Sequence, residues 1–166
     1  MIDFTKRLTS LRRRYPVLRQ SRFLTATWNE ELGVKDSTWL TPAGDEMKSE
    51  HWQNVAARCF GLLLDGRAQT SGIRQRGGEA TLLLITNAHH DVVLFSLPSV
   101  AGGRDWLRLV DTNQPGEDDE PDRPAVFKFA RQYQVTARSL LLFVLRQVRS
   151  QRRPAAVEHP TKRPSS

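Results

Sequence analysis

The first fifteen residues follow a helical pattern of apolar and polar positions. Apolar side chains recur at intervals of three or four, which is typical of one packed helix face. Asp3 is a suitable N-cap, and Pro16 restricts the residue before it and cannot donate to a helix. The pattern predicts a helix over residues 3–15 with a basic outer face. Its apolar positions are Phe4, Leu8, Leu11 and Tyr15.

Beyond residue 57 the pattern changes to short apolar runs separated by glycine, proline and asparagine. Several short strands with turn signals about ten residues apart, and no helical pattern between them, favour an antiparallel β-sandwich or barrel over a parallel sheet. The predicted fold class is therefore mainly β. Strands are predicted at 59–64, 80–86, 92–97, 106–110 and 139–145, with weaker candidates at 127–129 and 132–135.

The segment between helix and strands has no sustained period, but it contains two tryptophans. Trp39 and Trp52 are thirteen positions apart and flank the turn Pro42-x-Gly44. Tryptophan carries a large apolar surface, so two of them in an irregular segment predict a loop packed onto another part of the protein. We expect one short helix near residues 50–57.

These patterns divide the chain into four segments. The helix occupies residues 1–20, a connecting loop anchored by tryptophans occupies 21–57, and the β-sandwich occupies 58–146. Residues 147–166 are polar, basic and proline-containing, which predicts a disordered tail. The acidic, proline-rich stretch 115–124 is predicted to be a surface loop.

The charge distribution weakens the nucleic-acid function that a net charge of +7 would suggest. Residues 1–22 have seven Lys/Arg and one acid, and residues 146–166 have six Lys/Arg and one acid. The middle of the chain is mildly acidic, with twelve bases against sixteen acids. The basic character therefore belongs to one helix and one tail.

Cysteine content and hydropathy predict a cytoplasmic protein. Cys59 is the single cysteine, so the chain has no internal disulfide, which fits a reducing compartment. No apolar run approaches the roughly 20 residues of a membrane span, and the N-terminus does not resemble a signal peptide. We therefore expect no membrane partner.

The residues that could bind a metal or act as a nucleophile give weak signals. His89 and His90 are neighbours, and in an extended segment their side chains would point to opposite sides. We therefore predict two histidines in a hairpin turn between strands and no metal site there. Cys59 lies in an apolar strand without a second cysteine nearby, which predicts a buried small hydrophobe. The paired glycines at 77–78 and 102–103 are turn residues and do not begin a helix, as a phosphate loop requires.

Six segments stand out by their order and spacing, and they are 11–18, 36–52, 58–66, 87–90, 106–112 and 137–142. Together they resemble the C-terminal part of isoamylase-type glycogen debranching enzymes, which belong to the α-amylase superfamily of glycoside hydrolases. The resemblance extends from about Asp3 to Leu145. Ser37 and His51 depart from it, since an apolar residue and an acid are usual at those positions.

The resemblance implies a non-catalytic role for this chain. Such enzymes hydrolyse α-1,6 branch linkages in glycogen with carboxylates on earlier strands of a catalytic barrel, and a barrel takes about 250 residues. We therefore expect no catalytic, cofactor-binding or metal-binding residue here, no cofactor, and contact with branched α-glucan only through the barrel. That barrel could be encoded separately and act in trans.

The helix would then be the last helix of the missing barrel, and its apolar stripe would be exposed in an isolated chain. The helix and the tryptophan loop together supply the side chains that we expect to pack at the junction with the barrel. These are Phe4, Leu8, Leu11, Tyr15, Trp39, Pro42, Gly44 and Trp52.

Two other functions remain open at this stage. The β-sandwich could bind carbohydrate without catalysis, because exposed tryptophans stack on sugar rings. The basic helix and tail could instead bind nucleic acid or an acidic partner, with an affinity that falls steeply with salt. Because the middle of the chain is acidic, nucleic-acid binding is the least favoured of these functions.

Overall fold

The computed structural model describes residues 2–19, 23–68, 79–114 and 125–148. The predicted acidic loop at 115–124, the glycine pair at 77–78 and residues 149–166 of the predicted tail lie outside the described residues. The tail prediction is wrong at Gln147, which lies in a strand. The helices are α1 (Ile2–Arg14) and α2 (Ser49–Trp52), with short 3-10 turns at Pro16–Arg19 and Gly66–Ala68. The strands are β1 (Trp28–Asn29), β2 (Val34–Lys35), β3 (Ser37–Leu40), β4 (Cys59–Asp65), β5 (Thr81–Asn87), β6 (Val93–Ser96), β7 (Gly103–Asp111), β8 (Val126–Phe127), β9 (Gln132–Val135) and β10 (Ser139–Gln147).

The described strands form antiparallel sheets, which confirms the predicted fold class. Six of them make one large sheet in the order β3-β4-β5-β10-β7-β8. Strands β6 and β9 form a two-stranded sheet, and β1 and β2 form a separate short hairpin. Strand β10, the last of the described strands, lies in the middle of the large sheet, between β5 and β7.

The two central strands are apolar on both faces because both faces are covered. Leu83 of β5 pairs with Phe143 of β10, and Leu82 pairs with Val144 in the next row. All four side chains are buried, although successive residues of a strand point to opposite faces. The continuous apolar runs in the sequence therefore reflect a sheet held between two layers.

One layer is the two-stranded sheet. Phe95 of β6 and Val135 of β9 have no exposed surface and pack against the large sheet. Trp106 of β7 is also fully buried, and its indole N–H donates to the Pro98 carbonyl at 2.9 Å. This donor–acceptor pair satisfies the polar atom that a buried tryptophan carries.

The opposite layer is α1 with the turn that follows it. Tyr15 and Val17 are buried against the outer face of the large sheet. The Arg7 guanidinium donates to the Leu109 carbonyl of β7 at 2.7 Å. Leu109 is the extra residue of a β-bulge, since the pairing of β7 with β10 skips it. The bulge thus provides a polar anchor for the helix.

The segment 21–57 contains more regular structure than the sequence predicts. Strand β3 pairs with β4 and forms one edge of the large sheet, with Trp39 opposite Leu62. The prediction of an irregular connecting loop is wrong at Ser37–Leu40, because pairing with an adjacent strand stabilises a four-residue segment that shows no apolar alternation. The predicted short helix is confirmed as α2. None of the helices in the described parts of the chain has the length and apolarity to cross a membrane.

Candidate functional site

Three aromatic side chains form an exposed group beside β3. Trp39 makes edge-to-face contacts with Trp52 and with Phe60, and both pairs of ring centroids are 5.5 Å apart. Trp39 and Trp52 keep 39% and 55% of their surface exposed. We call these three residues the aromatic patch. Because contiguous exposed apolar groups mark interaction surfaces, the patch is the main candidate for a functional site in the described residues.

The chain reversal after β3 brings the two tryptophans together. The Gly44 N–H donates to the Thr41 carbonyl at 2.9 Å, and the Met47 N–H donates to the Trp39 carbonyl at 2.8 Å. Helix α2 follows at once and ends at Trp52. The spacing of thirteen residues therefore corresponds to one tight turn plus one turn of helix.

Pro42 and Gly44 attach this turn to the two-stranded sheet. The Ser96 N–H of β6 donates to the Pro42 carbonyl at 2.8 Å. Gly44 has a φ of +90°, and a Cβ at this position would lie 2.7 Å from the Ser96 carbonyl oxygen. Both residues thus pack inside this chain. Any further role for them at a junction with a barrel stays a prediction.

The apolar stripe of α1 lies on the chain's own sheet. Tyr15 is 6% exposed, and Phe4 and Leu11 pack against the same apolar cluster, which includes Leu82 of β5. Leu8, at 40% exposed, is the outermost member. The expectation that the stripe is exposed in the isolated chain is wrong for Phe4, Leu11 and Tyr15. These side chains pack against the apolar outer face of the sheet.

Helix α1 covers only part of that sheet face. Trp39 pairs with Leu62, and Leu62 pairs with Leu84, so these three side chains share one face. Phe60 and Thr86 form the next row on the same face. Leu62, Leu84, Phe60 and Thr86 are all partly exposed. The aromatic patch therefore continues a sheet surface that the helix leaves incompletely covered.

The buried carboxylates among the described residues all make structural contacts. Each has a partner that fixes its position, whereas glycoside hydrolysis needs two carboxylates that flank the scissile bond. The contacts are Asp65 with Arg67 at 2.6 Å, Asp105 with Arg146, Asp111 with the Tyr133 hydroxyl at 2.7 Å, and Asp36 with the Thr25 N–H at 3.0 Å.

Two of these carboxyl groups have pKa values that shift away from general-acid chemistry. The hydrogen bond from Arg146 holds the pKa of Asp105 below its usual range. Burial alone would raise the pKa of Asp36, but hydrogen bonds from Thr25 and Ser37 outweigh burial and lower it. A glycosidase general acid requires a raised pKa, so neither group is suited to that role.

Cys59 is buried in β4, as the sequence predicts. Burial raises the pKa of its thiol to about 11. The thiolate is the reactive form of cysteine, so this side chain acts as a small hydrophobe rather than a nucleophile.

His89 and His90 do not point to opposite sides. They lie in a turn after β5, and their rings stack with centroids 4.2 Å apart and an interplanar angle of 25°. The predicted position in a turn between strands is confirmed. The predicted divergence of the two side chains is wrong because it assumed an extended backbone. Sequence reasoning missed this pairing, and it did not single out Phe60, whose position in an apolar strand gives no sign that its ring is partly exposed.

Comparison with known proteins gives a consistent result. A family model described as "Isoamylase, C-terminal" matches residues 36–144. A "Glycogen operon protein GlgX homolog" of Mycobacterium tuberculosis (strain ATCC 25618 / H37Rv) is 33% identical over 145 residues, which cover 86% of this chain and 20% of that protein. An "Isoamylase" of Pseudomonas amyloderamosa is 25% identical over 109 residues, which cover 66% of this chain and 12% of that protein.

An "Isoamylase" of a Flavobacterium species is 26% identical over 110 residues, which cover 66% of this chain and 13% of that protein. The chain thus spans about a fifth or less of the length of these relatives. The family match begins at Asp36, directly before β3, so it includes Trp39, Trp52 and the turn between them. With more than half of its residues matched, the chain belongs to the isoamylase C-terminal domain family.

Proposed function

We propose that this chain is the C-terminal accessory domain of a debranching enzyme that hydrolyses α-1,6 linkages in glycogen, and that it is inactive alone. The family match supports the domain assignment, and a relative named for a glycogen operon supports the glucan. The structural contacts of the buried carboxylates support the lack of independent hydrolysis. A cytoplasmic location fits the single buried cysteine.

The aromatic patch is the surface that this domain would use to contact the catalytic barrel. The observation that carries this proposal is the exposure of Trp39 and Trp52 on a sheet face that α1 covers only in part. Exposed tryptophans in contact with each other are typical anchors of protein interfaces. The barrel could belong to the same polypeptide or be supplied in trans, and the contact surface would be the same.

Carbohydrate binding is the competing use of the same residues. The rings of Trp39 and Trp52 meet at an interplanar angle of 79°. Two indoles at this angle offer no continuous flat platform for consecutive glucose rings. The geometry therefore favours a protein surface as the occupant of the patch.

The experiment combines the purified 166-residue chain with the debranching-enzyme barrel of the same organism. We expect no release of reducing ends from glycogen by the chain alone, and measurable binding of the chain to the barrel by calorimetry. Replacing Trp39 and Trp52 with serine should raise the dissociation constant at least about thirtyfold. Leu94→Ser is the matched control, because Leu94 is also 50% exposed but lies on β6.

Three results would contradict parts of the proposal. Release of reducing ends by the chain alone would overturn the lack of independent activity. Unchanged barrel binding by the double tryptophan variant would overturn the docking role of the patch. A tryptophan fluorescence response to glycogen that disappears in that variant would favour carbohydrate binding.

A further inference from the structure

The turn between β5 and β6 presents three metal-ligating side chains in succession. His89, His90 and Asp91 place ligand atoms within 4.8 Å of one another. His90 Nε2 lies 3.1 Å from the Asp91 carboxylate oxygen Oδ2, and His89 Nδ1 lies 3.9 Å from the same oxygen. Two ligands of one tetrahedral zinc ion, each bound at 2.0–2.1 Å, are separated by about 3.3 Å. These distances therefore need only small side-chain adjustments to hold an ion.

A buried asparagine fixes the backbone of this turn. Asn87 is 1% exposed, and its side-chain oxygen accepts from the His89 N–H at 2.9 Å. Its amide nitrogen donates to the Asp91 carbonyl at 2.9 Å and to the Val135 carbonyl of β9 at 3.1 Å. The three ligands thus sit on a backbone that is tied to both sheets. Such preorganisation lowers the ordering cost of binding.

We propose that this turn binds one divalent transition-metal ion of the zinc, nickel or copper class through His89, His90 and Asp91. Imidazole nitrogens suit these ions, and the carboxylate completes a set of three protein ligands. Three ligands leave at least one coordination position for water. The site is therefore open, unlike a structural zinc site with four protein ligands.

Two local changes accompany binding. The Asp91 N–H donates to His89 Nδ1 at 3.0 Å in the free turn, so an ion at this nitrogen displaces that hydrogen bond. Because Asp91 is exposed, a water molecule can accept the hydrogen bond from its released N–H. The stacked rings of His89 and His90 also tilt toward each other. The His90 side chain is free to move in this way because 68% of its surface is exposed.

The test is a calorimetric titration of the 166-residue chain with Zn²⁺ and, separately, with Ni²⁺. We expect one ion per chain, with the dissociation constant raised at least about tenfold in His90→Ala and in Asp91→Asn. His51→Ala and His159→Ala are the matched controls, and both should bind as the parent chain does. Thermal unfolding of each variant without metal confirms that the turn variants remain folded.

A second readout identifies the ligands directly. With one equivalent of Cu²⁺, electron paramagnetic resonance should show coupling to two imidazole nitrogens in the parent chain and to one in His90→Ala. The proposal is overturned if no ion binds, if the two turn variants bind as the parent does, or if affinity is lost in the His51 or His159 control. It stands independently of any role in debranching.

Discussion

Two glycines show how a single position constrains this structure to different degrees. Gly44 has a φ of +90° and lies against β6, where an added Cβ would approach the Ser96 carbonyl oxygen to 2.7 Å. Gly33 has a φ of +62°, but an added Cβ there would meet nothing within 4 Å. Both backbones are unfavourable for other residues, but only Gly44 also has a steric conflict with the backbone of a neighbouring strand.

We predict that Gly44→Ala lowers the free energy of unfolding by about 3 kcal/mol and that Gly33→Ala lowers it by about 1 kcal/mol. Urea denaturation followed by tryptophan fluorescence measures both values. Equal effects of the two substitutions would show that the contact between the turn and Ser96 contributes little to stability.

At the level of elements, the sequence predicts the strands whose own residues form an unbroken apolar run. The segments 82–85 of β5 and 140–145 of β10 are apolar at every position because layers cover both faces, and such runs are recognisable without a structure. Strand β3 is different. Its residues Ser37–Leu40 show no alternation, and only pairing with β4, nineteen residues later, makes them a strand.

The site could be predicted only in part for a related reason. Trp39 and Trp52 stand out in the sequence, and the Pro42-x-Gly44 turn between them indicates that they lie close together. The contribution of Phe60 depends on how far α1 extends over the sheet. The pairing of His89 with His90 depends on a turn that the buried Asn87 holds. The first fact is long-range and the second depends on side-chain hydrogen bonds, so no local pattern of apolar residues contains them.

The position of α1 on the sheet leads to a prediction about the helix. Tyr15 is 6% exposed against the sheet and Leu8 is 40% exposed. Tyr15→Ala should therefore lower the free energy of unfolding by about 3 kcal/mol, and Leu8→Ala by about 1 kcal/mol or less. Chemical denaturation at one pH measures the difference. A negligible loss in Tyr15→Ala would mean that the helix does not pack on this sheet in solution.

At the scale of the whole molecule, the two faces of the large sheet are covered unequally. The two-stranded sheet closes one face with fully buried side chains such as Phe95 and Val135. On the other face, α1 leaves Trp39 and Trp52 in contact with solvent. An isolated chain therefore carries an apolar surface without a partner, and such surfaces promote association.

We predict that the isolated chain self-associates weakly through this surface. Sedimentation velocity should show a concentration-dependent shift that Trp52→Gln reduces, because the substitution removes the more exposed indole. Leu94→Gln, at a residue of similar exposure on β6, should leave the shift unchanged. A chain that stays monomeric at high concentration, or an equal response to both substitutions, would contradict the prediction.

The central place of β10 has a consequence for how the protein is made. A ribosome releases β5 and β7 first, and each lacks the partner on one of its edges until β10 has been synthesised and has inserted between them. Until then, the nascent chain exposes one unpaired edge of β5 and one of β7, and unpaired strand edges are prone to aggregate. Premature termination just before Ser139 would remove the strand common to both halves of the large sheet, so neither half could complete its pairing.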